Sequence, residues 1–150
     1  MKYYKTLITV LFLGSLVSSV SLARGVCVKN DWANLRNGPG RNHKKTWMVY
    51  QYMPFKLLKT TTEWLKVEDQ DGDQHWIFKP LITESLHCAA TNKNGTPVKA
   101  GPGEDEVHKS YSPVPRYYAV KVLKTEGDWV QVQDQDNEIG WIHKDHLWMP

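Results

Sequence analysis

Asp69, Asp71 and Asp73 alternate around Gly72, and alternate carboxylates on a tight loop can converge on a hard cation such as calcium. The distal bidentate glutamate and the helical flanks of a full calcium loop are missing, and the counterpart Asp134-Gln135-Asp136-Asn137-Glu138 has Asn137 where the first stretch has Gly72. A hairpin turn is the simpler expectation. His143 and His146 stand three residues apart, a spacing that shares a metal only if a helix brings both rings to one face, and they follow a strand-like run. The first-copy positions equivalent to them are Phe78 and Leu81, so the repeat described below carries no duplicated metal site. Hydrolytic chemistry needs a nucleophile or an acid and base pair held in a cleft, and Cys27 with one of the six histidines is the only thiol pairing on offer. The residues therefore predict neither an enzyme nor a metal or cofactor site.

Aromatic side chains are the other material for a site, with 7 Trp and 7 Tyr in the chain. Trp64, Trp76, Trp129 and Trp141 fall at equivalent places in two similar stretches, which predicts packing rather than ligand contact. Trp47, Tyr50 and Tyr52, with Tyr111, Tyr117 and Tyr118, lie in less regular segments. Flat rings with hydroxyl or indole donors suit peptide and glycan chains. Two readings of these six stand side by side: they line a ligand groove, or they pack two modules together.

The elements that must position them are written twice. Trp64-Leu65-Lys66-Val67-Glu68 and the following Trp76-Ile77-Phe78-Lys79 return sixty-five positions later as Trp129-Val130-Gln131-Val132-Gln133 and Trp141-Ile142-His143-Lys144. Gly38-Pro39-Gly40 returns as Gly101-Pro102-Gly103 at an offset of sixty-three, so about two residues are inserted between the landmarks, as a loop tolerates. Phe55 to Lys59, Trp64 to Glu68, Val120 to Lys124 and Trp129 to Gln133 alternate as strands, with Leu65 and Val67 on the core face. The acidic stretches between strands read as hairpin turns. No window after the N-terminal segment shows a capped helical period, so the chain is all-β, and modules of this size bury one face most economically as small barrels.

Met1 to Ala23 reads as a secretory signal peptide: Lys2 and Lys5, an apolar run from Leu7 to Val17, then small residues at Ser21 and Ala23. The domains expected are residues 1–23 as leader, 24–85 as first module and 86–150 as second. No membrane span is expected once the leader is cleaved. The formal charge of +3 falls to +1 when Lys2 and Lys5 leave, too little basic excess for a nucleic-acid surface. Cys27 and Cys88 each precede their module's Gly-Pro-Gly. In an exported chain they are expected either to bridge the two module starts or to be two buried thiols.

Ala33-Asn34-Leu35-Arg36-Asn37-Gly38-Pro39-Gly40, followed by an aromatic stretch, Trp64 and the pair Trp76-Ile77, resembles the bacterial SH3-like domain. The second copy departs from the pattern, with Thr96-Pro97-Val98-Lys99-Ala100 in place of the Asn-Leu-Arg stretch, so the resemblance implies a shared fold and not a shared ligand site. The resemblance implies two tandem SH3-like β-barrels behind a signal peptide, exported to the periplasm or outside the cell, binding peptidoglycan or an envelope peptide without catalysis. In wall peptidases of this kind the catalytic part is a separate domain, and none is expected after Pro150. In an SH3-like barrel the aromatic segments border the groove between loops, which makes Trp47, Tyr50, Tyr52, Tyr111, Tyr117 and Tyr118 candidate ligand contacts. Arg36 is a candidate too, either pairing with a ligand carboxylate or bracing the barrel turn. The alternative function is a structural or protein-interaction factor whose two barrels form one rigid unit against an envelope protein; a targeting half of an enzyme built from separate chains is a third.

Overall fold

The computed structural model describes residues 24–150; the leader expected at 1–23 lies outside the described residues. Strands β1 (Arg24–Val28), β2 (Trp32–Arg36), β3 (Lys45–Tyr50), β4 (Pro54–Thr60), β5 (Trp64–Glu68), β6 (Gln74–Phe78) and β7 (Ile82–Thr83) form one antiparallel sheet in the order β3-β2-β6-β5-β4-β1-β7. A second sheet, in the order β11-β10-β9-β8-β12, contains β8 (Cys88–Thr91), β9 (Ala119–Glu126), β10 (Trp129–Gln133), β11 (Ile139–His143) and β12 (Leu147–Trp148). Among the described residues no α-helix occurs, only 3-10 turns at Lys79–Leu81 and Lys144–His146.

The predicted hairpins form where the alternation placed them. Leu65 pairs with Ile77 and Val67 with His75; Val130 pairs with Ile142 and Val132 with Gly140. Leu65, Val67, Val130 and Val132 are all buried. Trp64, on the strand face opposite Leu65 and Val67, is buried as well, in line with the packing expected of it: its ring stacks at a tilt on Phe78 with centroids 5.4 Å apart. The second module lacks the β2–β3 ladder and keeps only single bridges, Thr96 to Val114 and Lys99 to His108 and Trp141. Pro97, Pro113 and Pro115 cannot donate to a ladder, which accounts for the loss.

Each module has a core of its own, the first around Phe55, Leu35, Val49 and Ile77, the second around Val120, Val130 and Ile142. The two are nevertheless fused. Successive residues of a strand face opposite ways, so in β8 Ala89 joins the second core while Ala90 joins the first, where Tyr117 and Ala119 also pack. Cys27 of β1 and Cys88 of β8 form a disulfide with Cα atoms 6.0 Å apart, tying the first strand of one module to the first strand of the other.

Candidate functional site

The acidic hairpin tips are built alike. Asp69 accepts from the Asp71 and Asp73 amides at 2.9 and 3.0 Å and faces His75 Nε2 at 3.2 Å; Asp134 accepts from the Asp136 and Glu138 amides, both at 2.9 Å, and from the Tyr118 hydroxyl. Both carboxylates are buried, so the turns are organised from within rather than solvated throughout. Gly72 (φ 84) and Asn137 (φ 65) take the same left-handed turn position, which glycine reaches without strain and asparagine tolerates. The three acids of the first tip do not converge on one point, and among the described residues no group of three or more acidic, His or Cys side chains is placed to hold a metal ion.

The tip of the first module docks on the second. Asp71 bonds both the Arg116 guanidinium and the Tyr117 hydroxyl, and Gln70 Nε2 donates to the Thr91 carbonyl at 3.3 Å. Arg116 lies over the Tyr117 ring at 4.7 Å and anchors its Nε on the Asn92 carbonyl at 3.1 Å. Hydrogen bonds from Arg116, then Tyr117, hold the Asp71 carboxyl below its ordinary range. Burial first, then Asp71, pushes the Tyr117 hydroxyl up to about 12. Burial and Asp134 push the Tyr118 hydroxyl higher still.

The tip of the second module faces the first across an open space. A cleft of about 260 Å³ is walled by Tyr50, Met53, Tyr117, Tyr118, Asp134 and Asp136. It continues past Gln51 into a more open groove of about 430 Å³ that reaches Asp31 and Trp32. A larger hollow, about 470 Å³, flanks the disulfide between Gly25, Glu84, Val122 and Pro150, but among the described residues no Trp, Tyr or Phe lines it. For a ligand held by flat apolar contact the smaller cleft is the better site.

The predicted site residues divide. Tyr50, Tyr117 and Tyr118 come together in the cleft. Trp47 is half-buried against the first core and meets Tyr117 edge-on at 5.0 Å, so it packs the modules together. Tyr52 holds a left-handed turn (φ 67) and donates its amide to the Val28 carbonyl at 2.8 Å. Tyr111 packs against the second core, its hydroxyl crowding Gly140. Arg36 donates to the His43 carbonyl at 2.6 Å, the bracing contact, and Lys99 repeats it in the second copy by donating to the Glu104 carbonyl at 2.5 Å.

Trp32 and Asp136 were not among the expected site residues. A signal for Trp32 was present, since Ala33 and Leu35 occupy the inward positions of the same strand and leave Trp32 facing out. It is 54% exposed and pairs across the ladder with Tyr50, 51% exposed, so two open aromatic side chains stand side by side on the rim.

Residues 29–84 match a family model described as "Bacterial SH3 domain", and residues 94–147 match a second model with the same description. A protein of Bacillus subtilis (strain 168), YrvJ, whose name assigns it provisionally as an N-acetylmuramoyl-L-alanine amidase, is 23% identical over 161 residues, taking in 97% of this chain and 30% of that protein. Among solved structures, NlpC2 from Trichomonas vaginalis is 15% identical with a TM-score of 0.39, over 87% of this chain and 49% of that one. An NlpC/P60 family protein from Bacillus cereus ATCC 10987 is 10% identical with a TM-score of 0.39, over 84% and 56%. The chain thus spans less than a third of the curated relative and about half of the solved ones.

Proposed function

Since the chain belongs to the bacterial SH3 domain family and carries two copies in tandem, we propose that it is a noncatalytic exported binding module that recognises peptidoglycan or a peptide of the bacterial cell envelope. The observation that carries this reading is the intermodule cleft, where Tyr50, Tyr117 and Tyr118 gather beside the exposed Trp32. Aromatic walls give apolar area, and the carboxylates and Gln51 give hydrogen-bonding groups, the combination that an extended peptide-bearing polymer needs. Residues of the second module pack on the core of the first and a disulfide joins the two, which favours a cleft formed before a ligand arrives and a small loss of ordering entropy on binding. The name of the Bacillus subtilis relative points to a substrate containing muramoyl-linked peptide, which supports a wall polymer as the ligand. A disulfide fits an oxidising compartment outside the cytoplasm, in keeping with the leader-like N-terminus.

Purified sacculi test the reading. Wild-type protein is expected to be retained on them and the Tyr50→Ala and Trp32→Ala variants to be lost into the supernatant, with unchanged circular dichroism. Retention no greater than that of an unrelated exported protein would sink it.

A structural or protein-interaction role is favoured by a separate feature. β3 is an edge strand, and Met48, 46% exposed, extends the Trp32 and Tyr50 face along it. An open edge with apolar residues beside it is a template for strand addition by a protein partner. Crosslinking in intact cells separates the two: one defined protein adduct without sacculus retention favours the partner.

A further inference from the structure

The two halves of the module junction are chemical counterparts, and one of them lacks a side-chain cation. Gln51 and Tyr52 stand where Arg116 and Tyr117 stand, sixty-five positions on. Both tyrosines hold left-handed backbones, φ 67 and 65, and both donate amides to the equivalent carbonyls of Val28 and Thr91, at 2.8 and 2.9 Å. Gln51 Nε2 donates to the Lys29 carbonyl at 3.0 Å, just as Arg116 Nε donates to the Asn92 carbonyl at 3.1 Å. Beyond that shared anchor Arg116 carries its Nη2 on to Asp71, whereas the Gln51 side chain ends. Asp136, the counterpart of Asp71, therefore faces the cleft without a side-chain partner among the described residues. The open half also gains walls: Trp32 and Tyr50 replace Gly95 and Pro115 at the equivalent positions, and Asp31 replaces Asn94.

From this internal template we infer that the cleft between Asp136, Asp31, Tyr50 and Trp32 is a binding site for a side-chain cation, a guanidinium or a primary alkylammonium, carried by a peptide ligand. The inference rests on the peptide-binding reading above and names the group that anchors the ligand. In the closed half a guanidinium is held by one carboxylate and a tyrosine face. In the open half two carboxylates and two exposed aromatic rings surround a space that Gln51 does not fill. Aromatic faces attract a cation beside them, and a carboxylate fixes its direction, most tightly for a planar guanidinium.

The test uses three blocked tripeptides, acetyl-Ala-X-Ala-amide with X as arginine, lysine or the uncharged arginine isostere citrulline, titrated against the protein by tryptophan fluorescence and calorimetry. The arginine or the lysine peptide is expected to bind, the preference between them identifying the cation, and the citrulline peptide to bind far more weakly. Asp136→Asn should weaken binding about three- to tenfold, the range of a partly exposed charge contact with an aromatic neighbour. Gln51→Arg should abolish it, because the new guanidinium fills the site from within as Arg116 does in the other half. The melting temperature of that variant should not fall, which separates a filled site from a damaged fold. Equal binding of the citrulline peptide, no binding of either cation, or affinities untouched by both variants would overturn the inference. If the sacculi still retain the protein in any of those cases, the cation site alone falls and the wall-binding reading stands.

Discussion

Trp47 of the first module meets Tyr117 of the second edge-on, with ring centroids 5.0 Å apart and planes at 80°. Because Trp47 also packs on the first core, it holds the junction rather than standing open to ligand. Trp47→Ala is therefore expected to cost about 2–3 kcal/mol, somewhat below a fully buried tryptophan. Tyr50→Ala, at a site 51% exposed, should stay within about 0.5 kcal/mol. Urea denaturation of the two variants checks the contrast. Equal losses would mean that the Trp47 contact does not hold the modules.

The Asp71 contact with Arg116 makes the junction sensitive to acid. Its carboxyl is held below its ordinary range, so its contribution to stability is present above the pKa it has when unfolded and disappears as pH falls through the lower folded value. Asp71→Asn should lower the melting temperature at neutral pH, and the gap between variant and wild type should close on acidification below the ordinary carboxylate range. A gap of constant size would show that the ion pair is not its origin. Salt should narrow the gap at neutral pH, since the pair is exposed.

At the alkaline end the same junction titrates through Tyr117. The hydroxyl is raised to about 12, so the stability it lends is complete below its unfolded value of 10.0 and is lost as pH rises through about 12. A tyrosinate absorbance titration should show a late-ionising class that shrinks in Tyr117→Phe. That variant should also unfold over a flatter alkaline profile.

Much of this architecture is legible from alternation and repeat, and the reasons the rest is not are physical. Strands β5 and β10 follow from apolar residues every second position, as Leu65 and Val67 show, because a half-buried strand imposes that period. The junction has no such period. Asp71 looks like any turn acid in sequence, and its meaning comes from Arg116, forty-five positions away, which only the docking of two modules brings near. Trp47 and Tyr50 are three residues apart and look alike as candidates, yet one faces the core side of the junction and the other the solvent. Arg36 shows the opposite case: its bracing role is visible once Lys99 is aligned with it, because both cations reach a loop carbonyl.

Gly140 stands where the first module has His75, paired with Val132 as His75 pairs with Val67. A Cβ there would come within 2.4 Å of Val98 Cγ1 and 2.8 Å of the Tyr111 hydroxyl. Tyr111 thus crowds the position that bears a side chain in the other copy. Gly140→Ala should destabilise by about 1–3 kcal/mol through overpacking. The double variant with Tyr111→Phe should recover little of this, since Val98 remains in the way. Full recovery would locate the strain at the hydroxyl instead.

The disulfide and the packing on the first core both tie the two modules together. The bond joins Cys27 to Cys88 over a sequence separation of 61, and closing a loop of that length restricts the unfolded chain by roughly 4 kcal/mol in the chain-entropy treatment. Cys27→Ser with Cys88→Ser should lower the guanidinium midpoint in a single transition, with a denaturant slope no smaller than that of the wild type because the freed unfolded chain exposes more surface, since Ala90, Tyr117 and Ala119 still pack on the first core and keep the junction cooperative. Two separate transitions in the variant would show instead that the bond, and not the shared core, makes the modules unfold as one. Ligand retention gives the second readout: a cleft held by the core should survive loss of the bond in the folded protein, whereas a cleft held by the bond should lose affinity at once on reduction.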